Sequence, residues 1–115
     1  GADTLSGGAG ADTFLFDIRE TAANRDVIQD FTHLSDIIAF DRAAFTAFAA
    51  LPAGALDAAR LALGTAATTA QHTLVYTQST GSLYYDPDGV GGTAQVLVAV
   101  LPTRPVLSAQ DFILI

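Results

Sequence analysis

The sequence predicts a mostly-β chain, in which the end of a parallel β-roll is joined to an antiparallel β cap with one or two short helices. Three observations predict this class. A nine-residue glycine-rich pattern opens the chain, short β-branched runs bounded by aspartates follow it, and two turn-linked strands then lead into a long apolar run. At 115 residues, half of them hydrophobic, we expect a single domain with repeats at residues 1–16 and a capping region at residues 17–115.

The glycine-rich pattern is a nonapeptide repeat. Residues 7–15 match G-G-x-G-x-D-x-U-x, where U is a large apolar residue, and residues 1–6 match the last six positions of a preceding copy. This pattern is the repeat of calcium-binding parallel β-rolls. Two pairs of residues keep the nine-residue spacing: Asp3 with Asp12, and Leu5 with Phe14. The incomplete first copy predicts that the chain is the tail of a longer protein.

The residue types of the repeat suit calcium. Glycine permits backbone conformations that turn carbonyl oxygens inward, and the aspartate adds a carboxylate. Calcium takes six to eight oxygens at about 2.3–2.6 Å. The predicted ligands are the carboxylates of Asp3 and Asp12 and the carbonyls of Gly1, Gly8 and Gly10. Fewer than two repeats cannot build many complete sites, so the remaining ligands would come from upstream repeats or from the segment that follows.

The first half continues with three predicted strands. Residues 13–16 form the first, residues 17–25 a loop or short helix, and residues 26–31 and 35–41 the next two strands. Asp26 and Asp36 each precede an apolar strand, as Asp3 and Asp12 do, and are the preferred additional calcium ligands. The alternative is that they are ordinary solvated aspartates at strand ends.

Short helical segments are predicted at three places. Residues 42–51 contain Phe45 and Phe48 at a spacing of three, which indicates a short amphipathic helix that ends at Pro52. Residues 56–64 and 107–114 share a pattern of a capping residue before apolar residues. Each predicts one helical turn leading into a strand.

The second half has an antiparallel pattern. Strands at residues 73–76 and 82–85 flank a turn at residues 78–81, and a longer turn at residues 86–92 precedes an apolar strand at residues 94–101. The unbroken apolarity of that last strand predicts burial on both faces. The D-P-D-G sequence at residues 86–89 lacks the glutamate that closes an EF-hand loop, so a hairpin turn is the favoured interpretation.

Charge and missing residue types exclude several functions. Twelve acids against five arginines and no lysine give a net charge of −7, which disfavours nucleic acid and favours a cation. The absence of cysteine excludes disulfides, thiolate metal sites and cysteine catalysis. No H-E-x-x-H, G-x-S-x-G or phosphate-loop lysine occurs, so no active site is predicted. No apolar run has the length of a membrane helix, and no membrane span is predicted.

Three tyrosines leave an alternative open. Tyr76, Tyr84 and Tyr85 could form an exposed patch that binds a carbohydrate or a surface, or they could be half-buried strand partners. Tyr84 and Tyr85 are adjacent in a predicted strand and should point to opposite faces.

Taken together, these motifs resemble the C-terminal segment of RTX (repeats-in-toxin, hemolysin-type calcium-binding) proteins exported by type I secretion, similar to the C-terminal domain of serralysin-like secreted proteins. The resemblance covers nearly the whole chain. It includes the repeats, the D-x-I-x-D-F of residues 26–31, the tyrosine- and aspartate-containing residues 81–89, and an acidic residue followed by apolar residues at 111–115.

The resemblance implies a non-catalytic module of a secreted, extracellular or cell-surface protein of a Gram-negative bacterium. Its expected partners are calcium ions and, during export, the type I secretion apparatus. The export signal would comprise Asp111, Phe112, Ile113, Leu114 and Ile115. Any catalytic residues of the parent protein would lie outside this chain. With little more than one repeat, the apolar second half could fold without calcium and cap the open end of the roll. The rival interpretation is a surface-interaction, carbohydrate-binding or self-assembly module.

Overall fold

The structure is a computed structural model that describes residues 4–5, 10–16, 26–33, 35–43, 45, 48–49, 51–64, 69, 72–86 and 96–115. Within these residues the chain is mostly β, as predicted. Its strands are β1 (Thr4–Leu5), β2 (Thr13–Phe16), β3 (Asp26–Ile28), β4 (Ile37–Phe40), β5 (Gly54–Ala55), β6 (Leu61–Leu63), β7 (Leu74–Thr77), β8 (Ser82–Tyr85), β9 (Val96–Val100) and β10 (Phe112–Leu114). The described part contains no helix long and apolar enough to cross a membrane.

The strands form two mixed sheets. One has six strands in the order β1-β3-β9-β8-β7-β6, and the other has four in the order β2-β4-β10-β5. The first four strands of the chain alternate between the two sheets. β3 pairs in parallel with β1, with Val27 opposite Thr4, and β4 pairs in parallel with β2, with Ile37 opposite Thr13. Two consecutive copies of the nine-residue pattern therefore contribute strands to different sheets.

The second half of the chain completes both sheets. β7 and β8 form the predicted antiparallel hairpin, and β9 pairs antiparallel with β8 and parallel with β3. The adjacent residues Val98 and Ala99 are both fully buried, as expected for a strand covered on both faces. In the other sheet, β10 lies between β4, to which it is parallel, and β5, to which it is antiparallel.

Aromatic side chains hold the two sheets together. Phe40 of β4 stacks on Phe16 of β2 with ring centroids 5.4 Å apart, and contacts Phe45 edge-to-face at 4.9 Å. Phe45 in turn contacts Tyr85 of β8, in the other sheet, at 5.0 Å. Edge-to-face and offset pairs of this kind add about 0.5–1.5 kcal/mol each beyond their burial. Phe48 makes the same connection, at 5.9 Å from Phe40 and 5.8 Å from Tyr85, so both phenylalanines link the sheets.

The predicted helix at residues 42–51 lies partly outside the described residues. The described ones form successive turns, in which the Phe45 amide donates to the Asp41 carbonyl at 2.9 Å and the Phe48 amide to the Phe45 carbonyl at 2.9 Å. Both phenylalanines are fully buried, so the apolar spacing of three does mark one buried side of this segment.

The other two predicted helical turns are confirmed as short 3-10 turns. Ala58–Arg60 leads into β6, and Ala109–Asp111 leads into β10. The Asp57 carboxylate accepts the Ala59 amide at 3.0 Å at the start of the first turn. The predicted loop at residues 17–25 and all but Asp86 of the turn at residues 86–92 lie outside the described residues.

Candidate cation site and C-terminal strand

The turn before β2 carries two of the predicted calcium ligands. Gly10 has φ +91°, a conformation that a residue with a side chain rarely adopts. Asp12 is half-buried, and its Oδ2, which is inaccessible to solvent, has no hydrogen-bond partner among the described residues. A buried carboxylate oxygen without a donor is costly, and such a group often marks a position for an ion or an ordered water. The oxygen of Asp12 therefore fits a hard cation such as calcium.

Asp36 lies next to Asp12 because β2 and β4 are paired in register. Each aspartate directly precedes one residue of the pair Thr13 and Ile37. Asp36 is 1% exposed, its Oδ1 accepts the Asp12 amide at 2.9 Å, and its Oδ2 accepts the Thr32 amide at 2.8 Å. The Asp12 carbonyl accepts the Ile37 amide at 2.8 Å. Two backbone amides thus donate to the Asp36 carboxylate, which consequently joins two turns of the chain.

The other predicted ligands are placed unevenly. Gly1, Asp3 and Gly8 lie outside the described residues. Asp26 begins β3 opposite Ala99, and its side chain is likewise outside what the structure describes. In the described part of the chain, no group of three or more His, Cys, Asp or Glu side chains forms a possible metal site. The structure thus brings together Gly10, Asp12 and Asp36.

The predicted export signal forms an interior strand and its flanks. Asp111 and Phe112 are fully buried, Leu114 is 3% exposed, and Ile113 is half-buried. The last residue, Ile115, is exposed, and its carbonyl accepts the Arg42 amide at 3.1 Å and the Arg42 Nε at 3.2 Å. The motif at the end of the sequence gave no indication of this position, because the pairing of β10 with β4 and β5 is non-local.

A histidine contacts the aspartate of this segment. The Nδ1 of His33 lies 2.6 Å from the Oδ2 of Asp111, across 78 positions of sequence. Asp111 also accepts the Ser108 amide at 2.8 Å. This hydrogen bond caps the helical turn that the sequence predicts at residues 107–114. No local signal in the sequence indicates this pair, because its members are 78 positions apart.

The tyrosines behave as strand partners. Tyr85 is fully buried and Tyr84 is half-buried, so these neighbours do lie on opposite faces of β8. Tyr76 is 1% exposed and donates from its hydroxyl to the Pro105 carbonyl at 2.6 Å. Burial raises the pKa of Tyr76 to about 12. The three tyrosines therefore do not make an exposed aromatic patch.

No protein-family model and no curated protein matches this chain.

Proposed function

We propose that this chain is a non-catalytic, calcium-binding module of the RTX type, which caps a β-roll and carries the type I secretion signal of an extracellular bacterial protein. One observation supports the proposal most strongly. Two copies of the nine-residue pattern supply β1 and β2 to different sheets, and β3 and β4 extend each sheet in parallel. A β-roll in which successive repeats lie in opposite sheets requires this alternation.

In this proposal the turn before β2 contributes ligands to a calcium ion. The carboxylate of Asp12 and the carbonyl of Gly10 are the proposed ligands in the described part, and Gly1, Asp3, Gly8 and Asp26 are proposed from the sequence alone. Asp36 supports the site mainly by holding the Asp12 backbone, because both of its oxygens already accept amides. A bound ion would add a strong positive charge beside these carboxylates.

Calcium would act through folding. An ion that binds only the folded state stabilises it by RT ln(1 + [L]/Kd), which is about 4 kcal/mol when calcium exceeds Kd a thousandfold. That is a large part of the stability of a typical domain. The end of the chain that carries the repeats would remain loose at the low calcium concentration of the cytosol and fold in the higher calcium outside the cell.

The second half would serve as the cap. β9 and β10 pair with β3 and β4, so they cover the strand edges on the side away from β1 and β2. Repeat arrays need such a cover because the last unit otherwise exposes apolar surface and unpaired backbone groups.

The calcium assignment is tested by thermal unfolding in calcium and in chelator. We expect millimolar calcium to raise the melting temperature of the wild-type chain and to do so much less for Asp12→Asn. Asp41→Asn is the matched control, because in the described part of the chain the carboxylate of Asp41 accepts a local amide, that of Ala43 at 2.8 Å. Equal calcium shifts in all three proteins would reject the Asp12 site.

The export assignment is tested separately in a type I secretion reporter. Removal of residues 112–115 should abolish export of the fused chain. The folded structure buries Phe112 and Leu114, so the proposal requires the apparatus to recognise them before folding. Normal export of the shortened chain would refute the signal.

A second candidate is a module that binds surfaces or carbohydrates. One observation favours it: Leu63 and Val106, which are 67% and 56% exposed, line a cavity of about 330 Å³ beside the end of β7. A screen against polysaccharides, with Leu63→Ser as the comparison variant, tests this candidate. It gains support only if binding occurs and falls in the variant.

A further inference from the structure

The loop between β3 and β4 contacts two distant parts of the molecule. On one side, the ring of Phe31 packs against Phe14 of β2, with centroids 6.2 Å apart, and Asp36 accepts the amide of Asp12. On the other side, His33 reaches Asp111 at the start of the C-terminal strand. His33 and Asp36, which make the two polar contacts, are three positions apart in sequence.

Hydrogen bonds close this loop. The amides of Ser35 and Asp36 both donate to the Thr32 carbonyl, at 3.1 and 2.8 Å, and the Asp36 carboxylate accepts the Thr32 amide. His33 directly follows Thr32, so a movement of Asp36 that breaks these bonds also displaces His33. We call Thr32, His33 and Asp36 the coupling loop.

The contact between His33 and Asp111 is expected to stabilise the folded chain. Asp111 is 0% exposed, while the His33 side chain is 32% exposed. Loss of the imidazole would deprive a buried carboxylate of one of its partners, and breaking a buried polar pair from one side is strongly destabilising. Phe112, the first residue of β10, immediately follows Asp111. The effect should therefore fall first on the docking of β10.

We propose that the coupling loop links the state of the turn at Asp12 to the docking of the C-terminal strand. A change that loosens the Asp12–Asp36 contact weakens the contact between His33 and Asp111. A change that breaks the His33–Asp111 contact likewise weakens the one at Asp12, because coupling free energies are reciprocal. The extension of this coupling to calcium rests on the proposed function. In that case, an ion bound at Asp12 would strengthen the burial of the proposed export signal.

A second route between the same two regions must be distinguished. β4 pairs with β2 on one side and with β10 on the other, so the sheet could transmit a change without the coupling loop. The two routes differ in one respect. Only the loop route depends on His33.

The experiment is a double-mutant cycle read by hydrogen exchange at the amides of β10. We compare the wild-type chain, Asp36→Asn, His33→Ala and the double variant. Each single change should speed exchange about fivefold or more, and the double variant should exchange much more slowly than the product of the two factors predicts. If the factors simply multiply, the loop does not couple the two sites and the proposal is overturned.

Two further variants keep the cycle decisive. Asp41→Asn removes a carboxylate beyond the other end of β4, and its effect should multiply independently with that of His33→Ala. If His33→Ala does not fold, His33→Gln replaces it, since glutamine keeps a polar side chain but not the imidazole ring.

The coupling between calcium binding and β10 is tested by the same hydrogen-exchange measurement with and without calcium. In the wild-type chain, calcium should slow exchange in β10, and His33→Ala should lose most of this effect while calcium affinity falls by a similar factor. An unchanged calcium response in His33→Ala overturns the coupling. Absence of calcium binding to the wild-type chain would instead contradict the proposed function, and the cycle without calcium would still decide the coupling.

Discussion

Gly81 is important for the hairpin formed by β7 and β8. It has φ +74° in the turn between β7 and β8, and its carbonyl accepts the Leu101 amide at 2.7 Å. A Cβ at this position would overlap the Leu101 carbonyl. The residue therefore meets two requirements, a left-handed backbone and a close approach to the segment after β9, and glycine alone satisfies both.

We expect Gly81→Ala to lower the free energy of unfolding by about 2–4 kcal/mol, because strain and overlap add. Gly54→Ala is the matched control. Gly54 has φ +126°, and apart from its chain neighbours no atom of the described residues lies within 4 Å of a Cβ there, so the control carries backbone strain without the overlap. Urea unfolding measures both. Equal losses in the two variants would show that the approach to Leu101 is unimportant.

Tyr76 provides a pH-dependent test of its burial. The pKa of Tyr76 is raised from 10 to about 12 by desolvation, so the folded chain keeps the phenolic proton in a range where the unfolded chain releases it. The free energy of unfolding should consequently fall as pH rises from 10 to about 12. Tyr76→Phe should lack this component of the fall. The measurement is unfolding at several pH values, and identical slopes for both proteins would argue against a buried hydroxyl.

Among the elements, β10 has the most unexpected position. The pattern of an acidic residue followed by apolar residues indicates an export signal, whereas the structure makes the same residues a strand between β4 and β5. The two roles are compatible when they belong to different states of the chain. The folded state uses these residues for packing, and the proposed export would use them before folding.

Substitutions at the end of the chain should show the packing role. Leu114 is 3% exposed and Ile115 is 45% exposed. Leu114→Ala should cost about 2–4 kcal/mol through lost burial and the cavity left behind, and Ile115→Ala less than about 1 kcal/mol. Denaturant titration compares the two. If Ile115→Ala cost as much as Leu114→Ala, the described burial of β10 would be incorrect.

The bounds of individual strands could be predicted from the sequence better than the pairing between strands. The strands Thr13–Phe16 and Ser82–Tyr85 begin and end where the alternation and flanking turns indicate. β5, at Gly54–Ala55, was not predicted, because a two-residue strand rich in small residues has no periodicity to detect. It exists through its pairing with β10, and such pairing is a property of the folded chain.

The same limit applies to the candidate site: its two aspartates were predicted from local sequence, but the contact between them was not. The repeat spacing identified Asp12, and the position of Asp36 before an apolar strand identified the second aspartate. Their contact follows from the parallel register of β2 and β4, which the sequence does not specify. The His33–Asp111 pair joins residues 78 positions apart and had no sequence signal.

The whole molecule combines two kinds of strand order. The first four strands alternate between the sheets in parallel, and the later strands close each sheet with mixed pairing. An aromatic core that includes Phe40, Phe45 and Tyr85 joins the sheets. We expect apolar burial to stabilise this part of the molecule, and calcium to act at the end that carries the repeats.

Calorimetric titration of calcium into the chain measures the proposed calcium site without recourse to unfolding. We expect saturable binding at submillimolar to millimolar calcium, weakened about tenfold or more in Asp12→Asn and unchanged in Asp41→Asn. Absence of binding at millimolar calcium, or equal affinity in Asp12→Asn and the wild-type chain, would contradict the proposed calcium site.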